Sequence, residues 1–413
     1  MGSMVEGSVR KTLDKFSLST LLEDKRASVA ELKALATAHP GAVAPIAFPI
    51  ILPALPASKD DVEMLRGIVE TVQVCVIPEP LQGADASAVE QQAQANSSTL
   101  TSDPSHIATL LDTLEERDWS VRLSILKVLS ALLADRLSVL QKAVLSSPQG
   151  LARLMDVLSD SREIIRNEVL LLFVALTRGD VDVQKIMAFE GAFDVLFGIA
   201  LEEEEGSIIA VDSVNVICNL MKSNPSNVSY FREMGGVQQH IVPLLKQCSG
   251  GLSLDLYRLS LEVICNMLTA STDDLQANQT ALGKSGVLTL VCANLCRADA
   301  PKELIALSLR MAALLVAKHD PNRGLLSNMV AERDGRAVLD HVVRIAMGER
   351  PQQDDRGHEL NGAAVSLFRA LLHGNVEGQQ HIVVTLMPQP LFDDELPPSV
   401  PLGRVLISGL LGA

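Results

Sequence analysis

A pattern of leucines that recurs every 44 to 48 residues restricts the fold of this chain more than any other feature of its sequence. The leucines mark the ends of long amphipathic segments such as ALLADR (131–136) and ALTRGD (175–180), and turn glycines recur every 41 to 50 residues. Two landmarks with the same spacing indicate stacked helical repeats, each of which buries its apolar stripe against the next. The leucines are Leu132, Leu176, Leu220, Leu268 and Leu315, and the glycines are Gly150, Gly191, Gly236, Gly286 and Gly335.

Residues 146–193 show one such unit in full. Its first helix has an apolar stripe at i, i+3, i+4 and i+7, formed by Leu151, Leu154, Met155 and Leu158. We predict that Asp160 caps the next helix, because Glu163 follows three residues later as in a capping box. Only 3% of the residues are aromatic, and the abundant leucine and alanine favour helix-on-helix packing over a sheet. The predicted fold class is therefore all-α, a right-handed α-solenoid of armadillo-like helical repeats.

The best-preserved copies of the unit lie at 216–245 and 263–291. They resemble armadillo repeats, with a long helix that ends in Asn-Leu, a polar turn and a short helix. We expect residues 1–8 to be disordered, with Met1-Gly2-Ser3 as a cloning remnant. Residues 9–413 are then one armadillo-like head whose last repeat is incomplete. Within it we expect a flexible loop over 82–105, which is polar and poor in large apolar residues, and a Pro-rich acidic segment over 388–401.

Charge and motif content exclude several classes of function. The net charge is −15 and no block of Lys or Arg is present, so a nucleic-acid partner is not expected. Most of the six cysteines lie in apolar helical patterns, and no Cys or His pair completes a metal site with Cys292 and Cys296. The sequence also lacks a Gly-rich phosphate loop, a nucleophile elbow and a His-Glu-x-x-His motif. We therefore predict a protein that is not an enzyme, with no catalytic residue, metal or cofactor.

The candidate sites are surfaces that bind a partner. Asn219 and Asn266 hold the Asn-Leu position of the long helix, where an amide either pairs with the backbone of an extended peptide or caps its own helix. A second surface has charges of both signs. Its arginines either hold a partner's carboxylate or pair with Asp156, Asp160 or the next repeat. This mixed-charge surface consists of Arg153, Asp156, Asp160, Arg162 and Arg166.

Two stretches are similar to a known family beyond the generic repeat. SLSTLLEDKR (17–26) and SPQGLARLMDVLSDSREIIRN (147–167) resemble the globular head of the general vesicular transport factor family, and the similarity runs from residue 10 to the end. The resemblance implies a homodimeric tether of ER-to-Golgi and intra-Golgi transport with an armadillo head, a coiled-coil tail and an acidic C-terminus. This chain has neither heptads nor a terminal acidic tail.

The same resemblance implies partners and a location. The expected partners are a Rab-family small GTPase, SNAREs and Golgi tethering complexes such as the conserved oligomeric Golgi complex. Family members also engage golgins, but golgin binding and tail-mediated dimerisation are not expected of this chain, because it lacks the heptads and the acidic tail. The expected location is cytoplasmic, peripheral on Golgi and ER–Golgi transport membranes, with membrane association through partners. Two alternatives to a tethering head are a generic armadillo peptide-binding adaptor and a purely structural spacer.

Overall fold

The computed structural model describes residues 2–78, 85–204, 206–248, 253–297, 300–332, 334–346, 356–384, 386–388 and 399–401. Nearly all regular structure in these residues is α-helical, as predicted, and the fold is of the helical-repeat, α-solenoid class. The described strands are short. Leu386–Pro388 (β1) pairs antiparallel with Ser399–Pro401 (β2). No helix in the described part of the chain combines the length and apolar character needed to cross a bilayer.

The chain divides into two compact units, of which the first comprises residues 1–199 and 215–220. Its long helices pack side by side, and the shorter helices of each repeat pack on those of the repeat before. The helices that lie wholly in this unit are α1 (Gly2–Leu18), α2 (Leu22–Ala38), α3 (Pro40–Ile51), α4 (Val62–Val76), α5 (Ala86–Thr101), α6 (Pro104–Thr113), α7 (Trp119–Ala131), α8 (Leu137–Ser146), α9 (Gly150–Val157), α10 (Glu163–Leu176) and α11 (Val181–Phe189).

The second unit comprises residues 200–214 and 221–413. Two helices, α12 (Ala192–Glu202) and α13 (Ile208–Met221), contribute residues to both units. The other helices of the second unit are α14 (Pro225–Glu233), α15 (Val242–Cys248), α16 (Leu254–Thr269), α17 (Leu275–Lys284), α18 (Val287–Ala293), α19 (Lys302–Val316), α20 (Asp320–Ser327), α21 (Val338–Ala346), α22 (Arg356–Leu372) and α23 (Val376–Val384).

The five landmark leucines are all buried, which confirms that their spacing records the core of successive repeats. The glycines behave less uniformly. Gly191, Gly286 and Gly335 have positive φ angles of 84°, 83° and 67°, where a residue with a side chain is strained. In the copy around residue 236 the positive angle belongs to Gly235, at 82°, and Gly236 serves a different purpose. A Cβ on Gly236 would lie 2.4 Å from the buried ring of Phe231, so this position needs glycine for close packing.

Two predictions about order were wrong. Residues 2–8 are helical and belong to α1, whose stripe of Val9, Leu13 and Phe16 is buried against neighbouring helices. The polar residues 86–101 form α5 instead of a loop, and Pro104 begins α6. Alanine, glutamine and glutamate are good helix formers, and packing against α3 and α4 provides the core contacts that composition did not reveal.

Specific polar bonds fix α5 in place. Asp85 caps it by accepting a hydrogen bond from the N–H of Ser87, at 3.1 Å. The buried amide of Asn96 donates to the carbonyl oxygen of Cys75 at 2.7 Å. Residues 82–84 of the predicted loop lie outside the described residues. So do residues 389–398 of the predicted Pro-rich acidic segment and the final residues 402–413.

Four of the six cysteines, Cys75, Cys218, Cys248 and Cys292, are buried as their apolar surroundings predicted, and Cys265 and Cys296 are half-buried. Burial raises the pKa of the Cys75 thiol to about 12. Burial raises the pKa of Cys292 as well. A thiol with so high a pKa stays protonated at neutral pH, so these two residues act as small core residues and not as nucleophiles.

Candidate partner-binding site

A cavity of about 600 Å³ opens between two inter-helix turns of the first unit. One turn joins α6 to α7 and the other joins α9 to α10, so the two turns hold the same place in successive repeats. The cavity brings together four of the five residues of the predicted mixed-charge surface, namely Arg153, Asp156, Asp160 and Arg162. The complete lining is Leu114, Glu115, Arg117, Arg122, Arg153, Asp156, Ser159, Asp160, Ser161 and Arg162.

An ion pair between repeats lies at the cavity. The Nη1 of Arg122 is 3.0 Å from the Oδ2 of Asp160, and both side chains are largely shielded from solvent. Burial on its own raises the pKa of Asp160, but the N–H of Arg162 and the guanidinium of Arg122 outweigh it and hold that pKa below its ordinary value. Asp160 is therefore a fixed anion that joins the two turns.

The prediction that Asp160 caps α10 was wrong. The residue before the helix is Arg162, which makes no side-chain cap hydrogen bond. The Oδ1 of Asp160 instead accepts from the N–H of Arg162 at 3.0 Å, which orders the turn one step before the helix. This local bond and the long-range pair with Arg122 hold the carboxylate at the turn, two residues before the N-cap position that Arg162 occupies.

Arg153 is also held within the chain. It forms ion pairs with Asp112 and with Glu115, the latter at 2.6 Å, and it donates to the Oε1 of Gln149 at 3.1 Å. Asp112 and Glu115 belong to the preceding repeat, so this arginine joins repeats as Arg122 does. A partner would have to compete with two carboxylates for it.

Arg162 and Arg166 both point toward Asp160. The Nη1 of Arg162 lies 3.4 Å from the Oδ1 of Asp160, and the Nη1 of Arg166 donates to its backbone carbonyl at 3.1 Å. Of the two alternatives, pairing within the chain is therefore the one observed. Arg162 nevertheless stays exposed, and its guanidinium has only the long 3.4 Å contact with Asp160. Asp156 is exposed, and its carboxylate makes no hydrogen bond or ion pair within the part of the chain that the structure describes.

The two asparagines lie elsewhere. The Nδ2 of Asn219 donates to the carbonyl of Val174 at 3.0 Å and to the Oγ1 of Thr177 at 3.2 Å, so it links α13 to the end of α10. Asn266 is buried in α16, in the second unit. A role for Asn219 in binding a peptide backbone stays a prediction, and it would require the bonds to α10 to break first.

Sequence reasoning missed the residues that the preceding turn contributes, chiefly Glu115, Arg117 and Arg122. The repeat spacing in the sequence would have pointed to Arg122. Arg122 lies 44 residues before Arg166, the same step that separates Leu132 from Leu176, so the two arginines occupy the same position in successive repeats. Aligning the repeats residue by residue would have placed Arg122 beside the mixed-charge surface.

The fold and the cavity together define a helical-repeat protein with a charged recess between two successive repeats. No family model matches the chain. Golgin candidate 6 of Arabidopsis thaliana is 33% identical over 405 residues, which cover 92% of this chain and 43% of the relative. General vesicular transport factor p115 of Homo sapiens is 29% identical over 415 residues, which cover 98% of this chain and 42% of the relative.

The chain is thus a homologue of the general vesicular transport factors, and the resemblance described above is confirmed. It spans 42% to 43% of the length of these curated relatives. Among solved structures, the crystal structure of Uso1-2 superposes with a TM-score of 0.79 at 22% identity, covering 92% of this chain and 63% of that one. At this identity the superposition establishes the shared fold.

Proposed function

We propose that the chain is the helical-repeat part of a non-enzymatic vesicle-tethering factor of ER-to-Golgi and intra-Golgi transport. The observation that carries this proposal is the match to general vesicular transport factor p115 over 98% of the chain, together with the match to Golgin candidate 6 over 92% of it. A stack of helical repeats offers a long surface for binding proteins, which suits a scaffold. The full-length protein would be a homodimer, held peripherally on Golgi and ER–Golgi transport membranes by its partners.

The recruiting partner in this proposal is a Rab-family small GTPase, which docks over the cavity between the α6–α7 and α9–α10 turns. Two features support this position. The cavity presents charges of both signs that the chain does not fully neutralise, with Arg162 as cation and Asp156 as anion. The turns that form the cavity are also held together by ion pairs between repeats, so the cavity is preorganised in the unbound chain. SNAREs and Golgi tethering complexes are the further partners.

A pull-down tests the proposal. The chain is immobilised and offered a panel of Rab-family GTPases, each loaded with GTPγS or with GDP. We expect at least one GTPase to bind in its GTPγS form, and Arg162→Glu and Asp156→Lys each to weaken that binding about tenfold or more. Arg258→Glu is the control, because Arg258 is also an exposed arginine, lies in the second unit and is not one of the cavity residues.

Two results would argue against the proposal. If no GTPase of the panel binds, recruitment does not occur through these residues. If the control variant loses as much binding as Arg162→Glu, the effect is one of overall charge and the cavity is not the docking site.

A further inference from the structure

Two exposed apolar side chains stand at the starts of the helices that follow the cavity's turns. Trp119 is the first residue of α7 and is 47% exposed, and Ile164 is the second residue of α10 and is 51% exposed. Each follows an arginine of the cavity by two positions, Trp119 after Arg117 and Ile164 after Arg162. Helices α7 and α10 pack against each other, so successive repeats present an arginine and an apolar side chain at nearly the same place.

The apolar surface continues along α10. Leu171 is seven residues after Ile164, on the same face of the helix and about 10 Å further along it, and it is also exposed. The opposite face of α10 is the buried one, with Val169, Phe173 and other core residues. Glu168 lies between Ile164 and Leu171 on the same face, so this outer face has an exposed apolar side chain at each end and one carboxylate between them. Exposed apolar side chains on the outer face of a helix are expected where a partner covers that face.

Asn167 lies between Ile164 and Leu171 on this outer face. Its Oδ1 is shielded from solvent and has no hydrogen-bond partner in the described chain. Buried acceptors without a donor are rare, and each calls for an explanation. A donor from a bound partner would satisfy this one after a rotation of the amide.

Arg117 and Arg162 indicate that the partner carries negative charge at this surface. The guanidinium of Arg117 makes no hydrogen bond or ion pair with the residues that the structure describes. Arg162 has only the 3.4 Å contact with Asp160, whose charge Arg122 already neutralises. In a chain of net charge −15, two such guanidinium groups beside exposed Trp and Ile side chains favour an anionic ligand with an apolar part. Tryptophan and arginine are also the residues most often decisive in protein interfaces.

We infer that this surface, formed by Arg117, Trp119, Arg162, Ile164 and Leu171, binds a linear protein segment in which carboxylate and apolar side chains alternate. The carboxylates pair with the two arginines, and the apolar side chains cover Trp119 and the stripe on α10. A nucleic acid fits less well, because its continuous phosphates would lie beside the carboxylate of Asp156, which no described cation neutralises. The inference rests on the proposed function, since it names the chemistry of the partner at the same site.

Three fluorescein-labelled peptides test the inference by fluorescence polarisation. The probe is Asp-Phe-Asp-Phe-Asp-Phe-Gly-Gly. One matched peptide replaces each Asp by Lys, and the other replaces each Phe by Gly. We expect the probe to bind saturably, with a Kd at least tenfold lower than that of either matched peptide. Equal binding of the lysine peptide, or no saturable binding of the probe, would overturn the inference.

Substitutions then locate the binding. Trp119→Ala and Ile164→Ala should each raise the Kd of the probe about tenfold, the effect of a moderate hot spot. Phe189→Ala is the control, because Phe189 is an apolar side chain of the same unit that is 83% exposed and lies on α11. Circular dichroism before each titration checks that the variant keeps its helical spectrum and is folded at the temperature of the measurement. A control that weakens binding as much as Trp119→Ala would overturn the inference.

The GTPase pull-down, run in parallel, separates the two claims. If the probe responds as expected while no GTPase binds, the peptide site stands and the proposed recruitment fails. If a GTPase binds through Arg162 and Asp156 while the probe does not bind, the proposed function stands and the inference about the partner's chemistry fails.

Discussion

Arg122 and Asp160, 38 residues apart in the sequence, form a shielded ion pair that joins two successive repeats. The Nη1 to Oδ2 distance is 3.0 Å, and the Nε of the same arginine donates to the carbonyl of Glu116 at 2.6 Å. The pair therefore fixes the α6–α7 turn against the α9–α10 turn. Since these turns form the cavity, the proposed docking site depends on this contact for its shape.

Removing the anion of this pair should destabilise the first unit. Asp160→Asn leaves the guanidinium of Arg122 shielded without its counter-charge, and the loss of one partner of a buried pair costs about 3 kcal/mol. Urea unfolding at pH 7 measures the difference. Asp156→Asn is the control from the same cavity, and we expect it to change the free energy of unfolding by less than about 0.5 kcal/mol. Equal effects of the two variants would contradict the assigned role of Asp160.

The same carboxylate should make stability depend on pH. Burial raises the pKa of Asp160, but its hydrogen bonds and Arg122 hold it below the ordinary 3.8. As the pH falls, the unfolded chain therefore binds this proton first. The stabilisation is complete above 3.8 and is lost as the pH falls through the lower folded-state pKa. Unfolding between about pH 5 and pH 2.5 should show a steeper loss for the unaltered chain than for Asp160→Asn, whereas parallel curves would refute the link.

Substitution of Asn219 should lower the free energy of unfolding, because its side chain bonds within the chain. Asn219→Ala removes the hydrogen bonds to Val174 and Thr177 and leaves their acceptors without that donor, at a cost of about 1 to 2 kcal/mol. Chemical denaturation checks this value. The control is Asn328→Ala, whose exposed amide bonds only to the carbonyl of Gly324. If Asn219→Ala leaves the unfolding midpoint unchanged but abolishes the binding of an extended peptide, the adaptor alternative is favoured.

Gly236 and Gly198 offer a matched pair of glycine substitutions. A Cβ on Gly236 would press into the buried ring of Phe231, so Gly236→Ala should cost about 1 to 3 kcal/mol through overpacking. A Cβ on Gly198, inside α12, meets nothing within 4 Å. Gly198→Ala should therefore stabilise the helix by about 0.5 to 1 kcal/mol. Thermal unfolding of both variants shows whether each substitution raises or lowers the midpoint temperature. A change of the midpoint in the same direction for both variants would contradict this packing.

The repeat architecture could be predicted from the sequence because its signal is local and recurs. Leu176 and Leu268 occupy the same position in two different repeats, and both are buried because each long helix packs against its neighbours. The spacing of the leucines therefore records where the core of each repeat lies. Helix α5 could not be predicted in this way. Its residues are small and polar, and the contacts with α3 and the bond from Asn96 to Cys75 come from elsewhere in the chain.

The candidate site was predictable only in part. The residues from Arg153 to Arg166 lie close together in the sequence, so their shared surface followed from helical spacing. Arg122 and Glu115 come from the preceding repeat, and only the packing of the repeats brings them to Asp160 and Arg153. The same packing explains why Asp160 does not cap α10, since the long-range ion pair competes successfully with the local role.

Site-specific photo-crosslinking tests the central claim, that an activated GTPase docks over the cavity, most directly. The photoreactive residue benzoylphenylalanine is introduced in place of Ser161, an exposed residue of the cavity lining, and, as a control, in place of Arg258 of the second unit. With a Rab-family GTPase in its GTPγS form, we expect an adduct with the mass of both proteins from the first position, much less adduct with GDP, and none from the second position. GTPase binding with no adduct at the first position, or with equal adducts at both, would contradict it.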